Sequence, residues 1–298
     1  MKDNCICNPE QIDYIISYRE SSVDRRKALF YVVSRLHQTF DKLNIIIVEQ
    51  DDSPKLTADD LPYCQLIFVF NAGLFNRGWS NNVGVNASMR PFVAFADCDI
   101  FLTKQSYQSC FDALQVFDAV DPKKSYITNV DLAMPTTDLA EDKKIVQADM
   151  SQVSATYTIK NRRYGNTFAG GIFFIRRQSL QALGFWDENF EGWGGEDNAM
   201  EHVIRLFLRQ CRLQLEVFHI DHSRSWLDTR AQPGYQSNSQ RCRAICAIHG
   251  QALLEYLKEK KQCIPGAIDK YRVSKPEQNA QAKNKHRDED AYICSSQA

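Results

Sequence analysis

Asp97 and Asp99 flank Cys98 directly after the apolar run Phe92–Ala96. A strand sends alternate side chains to one side, so both carboxylates are expected to converge where the strand ends. Paired carboxylates there suit a hard divalent cation, and such a cation suits a diphosphate. The strand carries this reading, because Asp288-Glu289-Asp290 repeats the spacing in a polar stretch and reads as a solvated charge cluster. A second group, Gly192-Trp193-Gly194-Gly195-Glu196-Asp197, leads into a helical pattern. Its glycines permit unusual backbone angles, and Trp193 offers a flat face of the kind that stacks on sugar rings. Carboxylates at a helix N-terminus are favoured in their ionised form, which a general base requires. The plainer reading is a glycine turn capped by Asp197. A third group, His219-Ile220-Asp221-His222, follows a strand-like run and offers imidazoles to a transition metal, or else a surface histidine pair.

Elements must position these groups. Residues 12–18 read as a strand, 24–43 as a helix with Asp24 at its start, and 43–49 as a strand too apolar for an edge. Residues 66–70 and 92–96 repeat the strand pattern, with a helix over 77–89 that Gly78 and Gly84 weaken. This β-α-β rhythm predicts a doubly wound α/β sheet with ligands beyond the carboxyl ends of its strands. Residues 129–166 break the rhythm and read as a long excursion, of the kind that is functional or mobile, with a hairpin over 153–160. A strand over 170–176, a helix over 197–211, a strand over 213–219 and a helix over 239–261 follow. From residue 274 the chain is polar and reads as disordered.

Over 298 residues, Lys+Arg 36 against Asp+Glu 37 gives a net charge of −1, which argues against a protein that coats nucleic acid. A composition of 44% hydrophobic and 24% charged residues excludes a wholly disordered chain. No apolar run approaches a membrane span, and the first residues lack a signal-peptide core, so a cytoplasmic location is expected. The ten cysteines are scattered without a C-x-x-C pair and read as reduced thiols. Residues 241–287 hold eleven Lys/Arg against four Asp/Glu, which suits a solvated helix or a weak peripheral contact with the inner face of an anionic membrane.

The motifs also occur in a recognisable order. Tyr18-Arg19, Phe75-Asn76-Arg77 with Asn82-Val83-Gly84, and Phe95–Asp99 resemble the donor-binding half of GT-A glycosyltransferases of the β-1,4-galactosyltransferase type. Phe168-Ala169-Gly170-Gly171, Gly184-Phe185, the GWGGED run and His222-Ser223-Arg224 continue the resemblance, and the bacterial chondroitin-polymerase type is similar over the Gly-Gly to Glu-Asp segment. The resemblance implies a GT-A fold, a Rossmann-like mixed and mostly parallel sheet flanked by helices. It implies one domain over 1–273, with a donor half over 12–130 and an acceptor half over 165–273.

It further implies metal-dependent, inverting transfer of a sugar of the galactose or N-acetylgalactosamine class from a UDP-sugar to a glycan or glycolipid acceptor. Asp99, His219 and His222 correspond to metal ligands for Mn²⁺, with Mg²⁺ as an alternative. Asp197 corresponds to the catalytic base and Glu196 to its acidic neighbour at the acceptor pocket. Tyr18, Arg19, Asp52, Arg77, Asp97, Gly171 and Trp193 fall on the donor side or on the loop that closes over it. Ser17 and Ser21 depart from the family's first motif, and Asn198 replaces a further acidic residue. Two other readings stand: a retaining GT-A transferase, and a non-catalytic sugar-nucleotide-binding protein on the same fold. The polypeptide N-acetylgalactosaminyltransferases share Trp-Gly-Gly-Glu but place Asn at the position of Asp197.

Overall fold

A computed structural model describes residues 8–132, 157–165, 167–222, 230–262 and 265–272. The first part realises the expected alternation: β1 (Ile12–Tyr18), α1 (Val23–Thr39), β2 (Asn44–Asp51), β3 (Cys64–Phe70), α2 (Arg77–Ala87) and β4 (Phe92–Ala96). There follow β5 (Ile100–Phe101), α3 (Lys104–Ala113), β6 (Ala119–Lys123), β7 (Tyr126–Leu132), β8 (Tyr157–Tyr164), β9 (Ile172–Arg176) and α4 (Arg177–Ala182). The last elements are α5 (Glu196–Phe207), β10 (Gln210–Leu215), β11 (Phe218–Ile220), α6 (Tyr235–Ala247) and α7 (Gly250–Gln262).

The central sheet runs β10-β6-β9-β4-β1-β2-β3. Its pairings are parallel except for those of β9, which is antiparallel to both neighbours. The mixed, mostly parallel sheet expected from the sequence is therefore present. β1 explains its two-sided cover. Ile12, Tyr14, Ile16 and Tyr18 join a core with α1 and α3, whereas Ile15 joins a second core with α2 and α5. Among the described residues, no helix is long and apolar enough to cross a membrane.

Glycines in α2 bring it close to its neighbours rather than breaking it. A Cβ at Gly84 would stand 2.5 Å from Ile15 Cγ2, and one at Gly78 would stand 2.8 Å from the Asp187 carbonyl oxygen. The helix lies nearer to β1 and to the loop before the Gly-rich run than any larger residue permits. Asn76 caps it by accepting from the Trp79 N–H at 2.9 Å.

Several boundaries differ from expectation. Ser22, not Asp24, caps α1 by accepting from the Arg25 N–H at 3.2 Å, and Asp24 lies in the first turn, where the helix dipole favours its charge. The strand expected over 213–219 is two strands. Gln214 takes a left-handed φ of 60° and the register shifts, so β10 stays in the central sheet while β11 joins a second sheet of order β5-β11-β7-β8. The final helix breaks at Ile248, which is extended, and Gly250 (φ 55°) starts α7. Of the expected hairpin over 153–160, residues 157–160 belong to β8, paired antiparallel with β7, and 153–156 lie outside the described residues. The rest of the 129–166 excursion between Leu132 and Tyr157 lies outside the described residues, as do Ser223-Arg224 and the stretch from residue 274.

Candidate functional site

The second sheet assembles the candidate metal group. β11 pairs antiparallel with β5, setting His219 opposite Ile100, one residue after Asp99. His222 then brings Nε2 to 3.0 Å from Asp99 Oδ2 across 123 residues of sequence, and His219 Nε2 lies 3.9 Å from Oδ1. One ligand atom from each of Asp99, His219 and His222 falls within 4.8 Å of the others. Burial alone would raise the Asp99 pKa, but His219, the His222 hydrogen bond and Arg25 at 3.9 Å outweigh it and hold the carboxyl well below the usual range.

These residues fit a divalent transition metal. A carboxylate and two imidazoles form a suitable donor set. His219 Nδ1 is buried without a hydrogen-bond partner among the described residues. Such an orphaned polar atom is costly unless something completes the site.

Asp97 departs from the convergence expected of it. The Ile100 N–H bonds back to the Asp97 carbonyl at 3.3 Å and β5 begins, so strand alternation ends between the two carboxylates. Asp99 turns inward to the histidines, and Asp97 turns to Arg77, whose Nη2 lies 2.9 Å from Oδ1. Nη1 of the same guanidinium pairs with Asp197 Oδ1, and the group also stacks over Trp186 at 5.6 Å. Arg77 thus ties Asp97 to the carboxylate at the start of α5. The other oxygen, Asp197 Oδ2, faces Gly170, where a Cβ would approach it to 3.1 Å.

The turn carrying Gly170 and Gly171 is held from beneath. Gly171 adopts φ 76°, a left-handed conformation that favours glycine, and its carbonyl accepts from the Asp97 N–H at 2.8 Å. Lys123, fully buried, donates to the carbonyls of Phe168 at 3.0 Å and Ile172 at 2.7 Å, and pairs with Asp121 at 2.7 Å. The sequence reading missed Lys123. Its signal was faint, a lysine in an unremarked Asp-Pro-Lys run, and only the pairing of β6 buries it.

The Gly-rich run makes a loop with left-handed Gly192, Gly194 and Gly195. Trp193 is 40% exposed and stacks on Tyr235, ring centroids 5.5 Å apart. Gln232 holds the loop by donating to the Trp193 carbonyl at 3.0 Å. Gly195 begins α5 with no side-chain cap, leaving Glu196 and Asp197 in the first turn. Burial, then the neighbouring Asp197 charge, push Glu196 up to about 7, and Glu196 Oε2 is buried without a hydrogen-bond partner among the described residues. Asp197 is raised by burial, against the opposing pull of Arg77.

The remaining sequence candidates lie at the carboxyl ends of β1 to β3. Tyr18 is fully buried and donates to Glu20 at 3.3 Å. Arg19 spends its donors on the carbonyls of Gln50 (2.8 Å), Gly73 (2.7 Å) and Asn71 (2.8 Å), fastening three strand ends together. Asp52 faces solvent, accepting from Ser53 and Lys55, and these bonds lower its pKa. Its neighbour Asp51 has a buried Oδ2 without a partner among the described residues and is the better placed of the two to meet a ligand.

Residues 151–224 match the family model described as the N-terminal domain of galactosyltransferase, a stretch that includes Phe168–Gly171, Gly192–Asp197 and both candidate histidines. Human polypeptide N-acetylgalactosaminyltransferase 3 is 42% identical over 62 residues, 21% of this chain and 8% of that protein. Escherichia coli chondroitin synthase is 27% identical over 153 residues, 44% of this chain and 22% of that protein. The chain thus spans less than a quarter of the length of these relatives. Among solved structures, the catalytic domain of Drosophila β1,4-galactosyltransferase 7 in complex with xylobiose is similar at 16% identity and a TM-score of 0.48, covering 80% of this chain and 82% of that one. A mutant of that enzyme in complex with manganese, UDP-Gal and xylobiose gives 15% identity and 0.44, covering 71% of each chain. Residues 1–349 of Staphylococcus aureus TarS give 10% identity and 0.49, covering 85% and 71%.

Proposed function

We propose that this chain is a metal-dependent, inverting glycosyltransferase of the GT-A type. It moves a sugar of the galactose or N-acetylgalactosamine class from a UDP-sugar to a hydroxyl of a glycan or glycolipid. One site then draws on residues 12–130 and 165–273, so 1–273 acts as one domain. The observation that carries the reading is the Arg77 fork. It joins Asp97, two residues from the candidate metal group, to Asp197, the carboxylate that follows the Gly-rich loop.

Each residue then has a task. Asp99, His219 and His222 hold Mn²⁺ or Mg²⁺, and the ion supplies the Lewis acidity that neutralises a diphosphate leaving group. Asp51, or Asp52 beside it, meets the nucleotide from the end of β2, while Arg19 holds the strand ends in register. Asp197 accepts the proton of the acceptor hydroxyl at Oδ2, with Oδ1 anchored by Arg77. Glu196 shapes the acceptor side, and Trp193 covers the reacting sugar and excludes water. Direct displacement from the face opposite the leaving group inverts the anomeric centre, so an α-linked donor gives a β-linked product.

A peripheral, cytoplasmic-face membrane contact through residues 241–287 draws on fewer cations than the sequence count suggests. Arg241 pairs with Asp187, Lys270 with Glu188, and Lys260 donates to the carbonyls of Leu183 and Phe185. Salt-sensitive co-sedimentation with anionic liposomes tests what remains.

The retaining reading is favoured by one observation, the 42% local identity with a polypeptide N-acetylgalactosaminyltransferase. Screening UDP-sugars with Mn²⁺ and reading the product anomer by NMR separates the two mechanisms. A β product from an α donor is expected, and an α product overturns inversion. Tight UDP-sugar binding without turnover of any donor would instead favour a binding protein.

A further inference from the structure

A polar cleft of about 300 Å³ lies beside the Gly-rich loop, and its lining includes neither the candidate metal ligands nor Asp197. Its walls include Leu74 after β3, Glu188, Asn189 and Glu191 before Gly192, Ser237 on the first turn of α6, and Lys270. We propose that this cleft is an accessory saccharide subsite. It binds a sugar unit of an extended glycan at a distance from the reacting hydroxyl.

Three observations point to this class of ligand. The lining carries carboxylate, amide and hydroxyl groups, with Lys270 paired to Glu188 and Leu74 as its one aliphatic side chain, which suits a polyol whose hydroxyls both donate and accept. Two glutamates against one lysine disfavour a phosphate, which separates the cleft from a second nucleotide site. Its volume stands at the small end of ligand sites, appropriate to a sugar unit or two.

The cleft is also joined mechanically to the loop that bears Trp193. Asn238 in its wall donates to the Glu191 carbonyl at 2.9 Å. Tyr271 donates to Glu191 Oε1 at 2.7 Å while accepting from Asn76, the cap of the helix that carries Arg77, at 2.9 Å. Gly192 donates to the Phe75 carbonyl at 2.7 Å. A sugar bridging Glu191 and Ser237 would therefore brace the segment from which Trp193 projects. An acceptor long enough to occupy both places would gain affinity through the cleft, and one that fills only the reacting position would not.

The inference rests on the glycosyltransferase reading, and the test separates the two. Wild type, Ser237→Trp (which fills the cleft) and the Asn189→Ala/Ser237→Ala double variant are applied to an array of defined neutral and acidic oligosaccharides of one to eight units. Hits are titrated by calorimetry, and thermal melts report folding. UDP-sugar turnover with Mn²⁺ is measured in parallel. Expected is binding by wild type that strengthens with glycan length, weakened at least tenfold for the longer glycans in both variants and within twofold for single sugars. Absence of glycan binding by wild type overturns the proposal, as does equal binding of long glycans by the folded variants. Glycan binding of the expected pattern with no turnover of any UDP-sugar overturns the enzymatic reading and leaves the subsite standing.

Discussion

Arg77 and Asp197, 120 residues apart in sequence, share a half-buried ion pair, and the same guanidinium reaches Asp97. This single side chain links the end of β4 to the start of α5. It fixes one oxygen of Asp197 and leaves the other facing a glycine.

If Asp197 is the base, Asp197→Asn removes proton acceptance and keeps the shape of the side chain. The expected loss in kcat is about 10²–10⁴-fold, the usual contribution of a positioned base. UDP affinity in the presence of Mn²⁺, measured by calorimetry, is expected to change less than threefold. Full turnover by the variant would remove Asp197 from the mechanism.

Arg77→Lys retains the charge but cannot span two carboxylates. A misplaced base costs on the order of 10²-fold, so kcat should fall by about that factor. In Arg77→Ala the acid limb of the pH–rate profile should move to higher pH, because Arg77 lowers the Asp197 pKa and an aspartate base acts only when ionised. A rise confined to the donor KM would assign Arg77 to donor binding instead.

Glu196 links stability to pH with a definite sign. Its pKa rises from 4.5 to about 7 on folding, so between those values the folded chain binds more protons than the unfolded one. The stability available below pH 4.5 is lost as pH rises through 7. Glu196→Gln removes that loss, so its Tm should exceed that of wild type at pH 8. Near pH 4.5 the two should melt together.

Mn²⁺ should stabilise the protein by binding the folded state, by about 2.7 kcal/mol at a hundred times its Kd. Asp99→Asn and His222→Ala should each abolish the shift in a thermal melt, whereas Asp52→Asn should retain it. An unchanged Mn²⁺ shift in Asp99→Asn would place the ion elsewhere.

Lys123→Met should be costly although Lys123 is remote from solvent. It leaves Asp121 with Arg212 as its remaining cationic partner and takes the lysine donor from the carbonyls of Phe168 and Ile172. Breaking a buried pair by removing one partner costs about 3–5 kcal/mol, readable as a fall in the urea midpoint.

The chemistry-bearing groups were legible because each lies within a short run. The strand Phe92–Ala96 was readable to the residue because its five positions are all buried. α3 and β6 were not. α3 buries only Ser106, Tyr107, Cys110 and Phe111, and β6 contains an Asp-Pro-Lys run that becomes a strand only because its charges pair inside the sheet. Gly78 and Gly84 looked like helix weaknesses, since a glycine's cost is local and its benefit, close packing against Ile15 and Asp187, is not.

The sequence by itself determined the residue types available for chemistry, the β-α-β frame around them and their order along the chain, since these follow from local periodicity and short motifs. Only the tertiary structure decided how they combine. The pairing of β5 with β11 gathers Asp99, His219 and His222, and the turn after Asp97 parts two carboxylates that strand alternation would have joined. Arg77 then unites Asp97 with Asp197 across the fold. Side-chain direction beyond a strand's end depends on what the chain pairs with next, and that partner lies far away in sequence.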